Sequence, residues 1–218
     1  MRVLMRFSKD DSIKYISHLD MQRLFQRALR RAKLPCAYSQ GFNPHLLIGF
    51  ACALPVGVCS ESEYVEFQLE SFVHPSECMK RLNAVLPSGV RILNATEPAD
   101  SFPTVASVIA LAEYTLVPKE NRDFGEIISG LLAQPSIEIE KKTKRGMENV
   151  DVRPFIHRLK QTESGIKATL SCSNTENLRG DKLKEILEAN GIGIASVTRN
   201  SIFIIHNNAI IEPLEASV

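Results

Sequence analysis

The sequence predicts an α+β fold with two ferredoxin-like β-α-β-β-α-β halves, each built on an antiparallel sheet. Three observations support this prediction. Short segments alternate between apolar and polar residues as half-buried strands do, longer segments carry apolar residues at helical spacing, and strands and helices are interleaved in both halves. The predicted halves are residues 1–98 and residues 105–212, joined by a linker at residues 99–104.

The first half opens with a strand and a helix. Residues 2–9 alternate in the manner of a half-buried strand, and a helix follows from about residue 17 to residue 33. Ser17 is the predicted N-cap, and Asp20 three residues later completes a capping box. Leu34-Pro35 ends the helix, because proline cannot continue it.

The later elements follow from the same two periodicities. In the first half they are 46–54 (strand), 61–70 (strand), 74–86 (helix) and 90–95 (strand). In the second half they are 107–117 (strand), 122–132 (helix), 137–140 (strand), 150–160 and 166–172 (a hairpin), 177–190 (helix) and 195–205 (strand). The basic segment 141–146 is predicted to be a loop.

The composition is that of an ordinary globular chain of 218 residues, of which 44% are hydrophobic. Because 26 Lys and Arg residues balance 25 Asp and Glu residues, only the placement of charge can indicate a nucleic-acid partner. Five cysteines, none spaced as CxxC, argue against a disulfide framework, a zinc ribbon and an iron–sulfur loop. No apolar run reaches the roughly 18 residues of a membrane span, so we expect a cytoplasmic protein without membrane contact.

The predicted helix at 17–33 carries arginines opposite its apolar stripe. They are Arg23, Arg27, Arg30 and Arg31. Guanidinium groups at this spacing form a ridge that can follow a phosphate backbone and bind its oxygens. No Glu is interleaved among them for i,i+4 pairing, which favours an anion-binding face over the alternative, an ordinary solvated face.

A turn-rich segment, Ser39-Gln40-Gly41-Phe42-Asn43-Pro44-His45, gathers groups suited to binding a nucleotide. Gln40, Asn43 and His45 offer amide and imidazole groups, and Phe42 offers a face on which a base could stack. The alternative is a polar hairpin loop with a buried phenylalanine.

A second basic region lies in the other half of the chain. Its candidate phosphate-binding residues are Lys142, Lys144, Arg145 and Arg153. The alternative is a solvated loop, and Asp151 beside Arg153 is interpreted as a salt-bridge partner rather than a catalytic residue.

His18 and Asp20 form a possible site at the helix start. A histidine with a nearby aspartate can act as a general acid and base, although a helix-cap arrangement explains the same residues. The other histidines lack metal-ligand spacing, and no phosphate-binding glycine loop or nucleophile motif is present. We therefore predict neither a metal nor a cofactor.

Several segments together resemble a known family. They are Phe7-Ser8-Lys9, Tyr15-Ile16-Ser17-His18-Leu19-Asp20, Arg27 to Ala32, Ser39 to His45, Leu54-Pro55-Val56-Gly57, Glu63-Tyr64 and Asp151-Val152-Arg153-Pro154. In these segments the chain resembles the radical-SAM-linked (radical-SAM-associated) bacterial domain family of unknown function. The resemblance implies a separate radical-SAM protein, encoded nearby, as the partner. It also implies a setting among RNA-processing and ribosome-associated proteins.

The hypothesis that combines these features is an accessory RNA-binding module that works with a separate radical-SAM protein in tRNA or rRNA modification or processing. Structured RNA would be the second partner. Two alternatives stay open, namely a protein-interaction subunit of a radical-SAM enzyme without nucleic acid, and a metal-independent RNA-acting enzyme. The sequence leaves enzymatic activity of the isolated chain open and favours a role without it.

Overall fold

The computed structural model describes residues 1–143 and 146–217, with the backbone alone for residues 141–143. Its centre is a nine-stranded, mostly antiparallel sheet. The described strands are β1 (Arg2–Lys9), β2 (Ile48–Phe50), β3 (Cys59–Gln68), β4 (Val90–Thr96), β5 (Ile109–Pro118), β6 (Glu138–Thr143), β7 (Gly146–Asp151), β8 (Ile156–Thr162), β9 (Gly165–Ser171), β10 (Ile194–His206) and β11 (Ala209–Ile211). Two of these strands, β6 and β7, form a separate two-stranded sheet. The α+β prediction is confirmed at this level.

Helices flank the sheet and connect its strands. They are α1 (His18–Arg31), α2 (Pro75–Asn83), α3 (Val105–Val108), α4 (Gly125–Ala133), α5 (Gly180–Ala189) and α6 (Pro213–Ala216), with short 3-10 helices at Asp11–Ile13 and Arg153–Phe155. In the part of the chain that the structure describes, no helix combines the length and apolarity needed to cross a membrane.

The strand order brings both predicted halves into one sheet. It runs β4-β1-β3-β10-β5-β9-β8, with β2 paired to β3 and β11 paired to β10. The neighbours are antiparallel except β3 and β10, which pair in parallel at Cys59–Thr198 and Ser60–Arg199. The two segments therefore meet along a very short ladder, and the division into residues 1–98 and 105–212 stays a prediction.

Helix α1 confirms the predicted helix, two residues shorter at its C-terminal end. The Ser17 hydroxyl caps it by accepting a hydrogen bond from the Asp20 amide at 3.2 Å. Its apolar stripe, which includes Phe25 and Leu29, packs against Met5 and Phe7 of β1 in one of two apolar cores. This packing leaves the opposite face of α1 to solvent.

Three sequence predictions need correction. The strand predicted at 46–54 extends only over Ile48–Phe50. The basic segment 141–146 was predicted as a loop, but residues 141–143 belong to β6 and Gly146 belongs to β7, and these two strands pair with each other. The strand predicted at 150–160 begins only at Ile156, because Pro154 occupies a 3-10 turn before it.

Candidate functional site

A buried polar network lies where β3 and β10 meet. The Arg199 guanidinium, 1% exposed, donates from one nitrogen to both carboxylate oxygens of Glu63 at 2.9 and 3.0 Å. The same side chain donates to the Tyr114 hydroxyl at 3.0 Å and to the Cys52 sulfur at 3.1 Å. We call Lys9, Cys52, Glu63, Tyr114 and Arg199 the junction network, because its members come from both predicted halves.

The ionisation states of this network depend on burial and on neighbouring groups. Burial opposes the charge of Arg199, but the Cys52 sulfur and the Glu63 carboxylate keep the pKa of Arg199 above its ordinary value. Tyr114 has a raised pKa because it is buried, although Arg199 acts against that effect. Tyr114 is therefore a neutral hydroxyl at neutral pH and accepts the hydrogen bond from Arg199.

Lys9 joins the network to the segment that enters α1. Its side chain is 3% exposed, and its ammonium donates to the carbonyl oxygens of Lys14 and Ile16, each at 2.9 Å. Burial lowers the pKa of Lys9, and the Glu63 carboxylate opposes that shift. Lys9 thus fixes the backbone immediately before the helix start.

A small cavity lies against these residues. Its volume is about 20 Å³, and its lining includes Lys9, His18, Cys52 and Glu63. That volume suits a single water-sized group. Among the described residues, no group of three or more His, Cys, Asp or Glu side chains is arranged to hold a metal ion.

His18 and Asp20, the possible acid and base, point to different surroundings. The His18 ring contacts Phe50 edge to face at 5.6 Å, and its Nε2 lies 3.0 Å from the Gln22 amide nitrogen. Burial lowers the pKa of His18, with Glu63 opposing. Asp20 instead lies in solvent, where it accepts hydrogen bonds from Ser17 and Arg23 that lower its pKa. No His18–Asp20 pair is formed, and the cap arrangement accounts for Asp20.

The arginine face of α1 is exposed, but its members differ in their contacts. Arg23 pairs with Asp20 at 3.1 Å, and Arg31 donates to the Val85 carbonyl at 2.6 Å. The side chains of Arg27 and Arg30 are exposed and make no hydrogen bond or ion pair with the described residues. Arg27 and Arg30 are therefore the arginines of this face whose guanidinium groups are available to a ligand.

The loop at residues 39–45 is closed at its base and open at its tip. Ser39 and His45 bond to each other through backbone and side chains, with the Ser39 hydroxyl 2.8 Å from the His45 Nδ1. Phe42 is fully exposed, so the alternative of a buried phenylalanine is wrong. Gln40 and Asn43 are exposed as well.

The structure describes the second basic region only in part. Lys142 lies in β6 with only its backbone described, and Lys144 and Arg145 lie outside the described residues. The Arg153 guanidinium donates to the Leu132 carbonyl at 2.8 and 3.1 Å, which ties it to the end of α4. These contacts occupy Arg153 in a structural role, so its predicted phosphate contact has no support here.

The sequence segments that carried the family resemblance meet at the small cavity. Phe7 and Lys9, Ser17 and His18, and Leu54 and Glu63 come from separate segments and all line it. The arginine face lies elsewhere, on the solvent side of α1. Residues of the motif segments are therefore found around the junction network as well as on the exposed face of α1.

Sequence reasoning missed Arg199, Cys52 and Tyr114 as members of a site. One signal was present, because Arg199 follows Val197 at the spacing of a buried strand face. A charged residue at such a position needs a buried partner, and Glu63 is a buried acidic residue of β3, three residues beyond Ser60, which is paired with Arg199.

The comparisons with known proteins place the chain in a family. No curated protein sequence matches it. It is similar to a chain from the "Crystal Structure of a Cbf5-Nop10-Gar1 Complex", with 11% sequence identity, a TM-score of 0.45, and coverage of 92% of this chain and 48% of that chain, about half its length. A family model matches residues 2–180, and the chain therefore belongs to the bacterial family described as "Uncharacterized protein conserved in bacteria (DUF2344)".

Proposed function

We propose that this chain is an accessory RNA-binding module that contacts RNA through the arginine face of α1 and the loop at residues 39–45. The observation that carries the proposal is the state of Arg27 and Arg30. Both are exposed on one helix face, and neither forms a hydrogen bond or a salt bridge with the described residues, although Arg27 acts on Asp20 through its charge. Exposed guanidinium groups without partners bind phosphate oxygens without first breaking an ion pair.

The dimensions of the arginine face suit a phosphate backbone. At 1.5 Å of rise per residue, Arg23 and Arg30 lie about 10 Å apart along the helix axis. Each guanidinium can bind a phosphate through two parallel hydrogen bonds. Such contacts supply affinity and register but no base specificity.

The loop supplies a different kind of contact. A fully exposed phenylalanine at the tip of a loop is free to stack on an unpaired base. Gln40 and Asn43 beside it carry amide groups that can bond to base edges. The loop is therefore proposed to contact unpaired nucleotides while the helix contacts phosphates.

The proposal also includes a partner and a finer description of the fold. The resemblance of the motif segments supports a separate radical-SAM protein as the partner that carries out the chemistry. We propose that the substrate is tRNA or rRNA and that the reaction takes place in the cytoplasm. The strand order supports two ferredoxin-like halves, because in each segment the first strand lies between the third and fourth, as β1 lies between β3 and β4 and β5 between β9 and β10.

Fluorescence anisotropy with labelled bulk tRNA across a salt series tests the RNA contact. We expect salt-dependent binding by the wild type, and weaker binding with a flatter salt slope for Arg27→Ala/Arg30→Ala. The logarithmic slope should fall by about one for each phosphate that the variant no longer binds. The control is Arg158→Ala/Lys160→Ala, which removes two exposed charges from the far edge strand β8.

Two results would contradict the proposal. One is the absence of binding at low salt, and the other is an equal loss of affinity in the helix variant and the β8 variant. Either result would favour docking of the arginine face on an acidic partner protein, which a pull-down with a radical-SAM protein would then examine.

A further inference from the structure

Two cysteines from distant parts of the chain lie side by side: Cys52 of the junction network and Cys172, which contacts it. The sulfur atoms of Cys52 and Cys172 are 3.6 Å apart, although the residues are 120 positions apart in sequence. Both are free thiols. We propose that Cys52 and Cys172 form a redox-active dithiol that hydrogen peroxide converts to a disulfide joining the two segments of the sheet.

The backbone around the two residues allows the bond to form. A disulfide needs a sulfur–sulfur distance of about 2.05 Å, so the two atoms must approach by about 1.6 Å. Cys52 lies in a bend between β2 and β3, and Cys172 follows the last residue of β9. The Cys172 amide donates to the Ala110 carbonyl of β5 at 2.8 Å, so we expect the movement to come from the bend at Cys52, which belongs to no strand.

The two thiols are coupled to each other and to Arg199. Arg199 donates a hydrogen bond to the Cys52 sulfur at 3.1 Å, and its positive charge favours ionisation of both thiols. The hydrogen bond between the thiols raises the pKa of Cys52 and lowers the pKa of Cys172. The pair therefore titrates as a unit in which one sulfur keeps the shared proton.

Access decides the order of events. Cys52 lines the cavity of about 20 Å³, whereas Cys172 is 4% exposed and does not line it. Hydrogen peroxide is little larger than water, so a cavity of this size admits it where a bulky disulfide reagent does not fit. Cys52 is thus the thiol that meets the oxidant, and Cys172 is the thiol that resolves the product.

The reaction balances with peroxide as the oxidant. The Cys52 sulfur attacks one peroxide oxygen, the O–O bond breaks, and a sulfenic acid and one water form. The Cys172 sulfur then attacks the Cys52 sulfur, the S–O bond breaks, and a second water leaves with the remaining thiol proton. Two thiols and one peroxide give one disulfide and two waters, with both sulfurs oxidised and the peroxide reduced.

The other cysteines provide an internal comparison. Cys36 and Cys78 are buried in the apolar core beneath α1, where neither receives a hydrogen bond from a cationic side chain of the described residues. Neither of them lines the cavity that Cys52 lines, so these two thiols should react with peroxide far more slowly than Cys52.

The experiment counts thiols in the folded, full-length chain. Reduced protein is exposed to hydrogen peroxide, quenched, denatured and alkylated, and then weighed intact and mapped by peptide mass. We expect the wild type to keep three alkylatable thiols of its five and to yield a Cys52–Cys172 peptide. Cys36→Ala/Cys78→Ala, the matched control, should lose two thiols in the same way.

A single-cysteine variant tests the assigned order. In Cys172→Ser, the sulfenic acid of Cys52 has no resolving thiol and should be trapped by dimedone added together with the denaturant, whereas Cys52→Ser should give no adduct at Cys172. Five alkylatable thiols in the treated wild type, or a disulfide mapped to another pair, would overturn the proposal. If a variant fails to fold, the peptide map of the wild type decides alone.

Discussion

Arginine occurs in two opposite settings in this chain, buried in the junction network and exposed on α1. Arg199 is buried, and its guanidinium donates to Glu63, to Tyr114 and to the segment at Cys52 and Ala53. Arg27 and Arg30 are exposed, with no ion pair among the described residues. One arginine holds two parts of the sheet together, and the other two are free to bind an external anion.

The difference follows from the surroundings of each charge rather than from the residue type. A buried guanidinium needs a paired carboxylate and further acceptors, because its desolvation costs several kcal/mol. An exposed guanidinium keeps its water and contributes little to stability until a ligand replaces that water. The comparison therefore predicts that the junction network contributes to the stability of the fold and that the exposed face of α1 contributes to binding.

Breaking the buried pair should give the largest effect. Removing one partner of a buried ion pair typically costs about 3–5 kcal/mol, because the remaining charge is left without compensation. We expect Glu63→Gln and Arg199→Met each to lower the free energy of unfolding by that order, measured by urea denaturation. Arg27→Ala/Arg30→Ala should leave the urea midpoint almost unchanged.

The double variant Glu63→Gln/Arg199→Met separates the pair from the fold around it. We expect it to be more stable than the sum of the two single losses indicates, because no unpaired charge remains. Simple additivity of the three measurements would mean that Glu63 and Arg199 act independently. In that case the division between a structural and a binding arginine would not hold.

The next effect concerns binding by the exposed loop. Stacking of one base on an aromatic ring contributes about 1–3 kcal/mol, so Phe42→Ala should weaken RNA binding by that order. Phe72→Ala is the matched control, because Phe72 is also well exposed but lies between β3 and α2. Equal affinities for the two variants, measured by anisotropy with the same tRNA, would argue against stacking at Phe42.

A smaller effect is expected where the two surfaces meet, at the start of α1. Ser17 caps the helix and also lines the cavity beside Lys9 and His18. Loss of an N-cap hydroxyl costs about 1 kcal/mol, so Ser17→Ala should lower the unfolding free energy by that order in urea. Ser88→Ala, at an exposed turn, is the control and should leave the unfolding free energy unchanged.

How much of the structure could be predicted from the sequence also differs between exposed and buried charges. Helix α1, its cap and its arginine face were predictable, because 3.6-residue periodicity and capping are local signals. The pairing of β6 with β7 was missed, because the charged segment that begins at Lys141 lacks the apolar alternation that predicted a strand at 137–140.

The junction network was missed for a different reason. Glu63 and Arg199 are 136 positions apart, and only the pairing of β3 with β10 brings them together. Local patterns mark each residue as a charge in a buried strand position but do not say which strand is the neighbour. Long-range strand pairing, not residue type, is the information about this site that local sequence patterns lack.

The smallest effect is a dependence of stability on pH, and it tests whether His18 belongs to the buried side of the comparison. Burial lowers the pKa of His18 in the folded chain below the ordinary histidine value of about 6.5. As the pH falls through that value, the unfolded chain binds a proton that the folded chain resists, so folding loses stability. Above that value both states are neutral at this ring, and the contribution disappears. We therefore expect the urea midpoint of the wild type to fall more between pH 7.5 and pH 5.5 than that of His18→Gln, with His206→Gln as the control for loss of an exposed imidazole. If the urea midpoints of the wild type and His18→Gln fell equally, His18 would behave as an exposed residue of α1 does. The start of α1 would then not belong with the buried residues in this comparison.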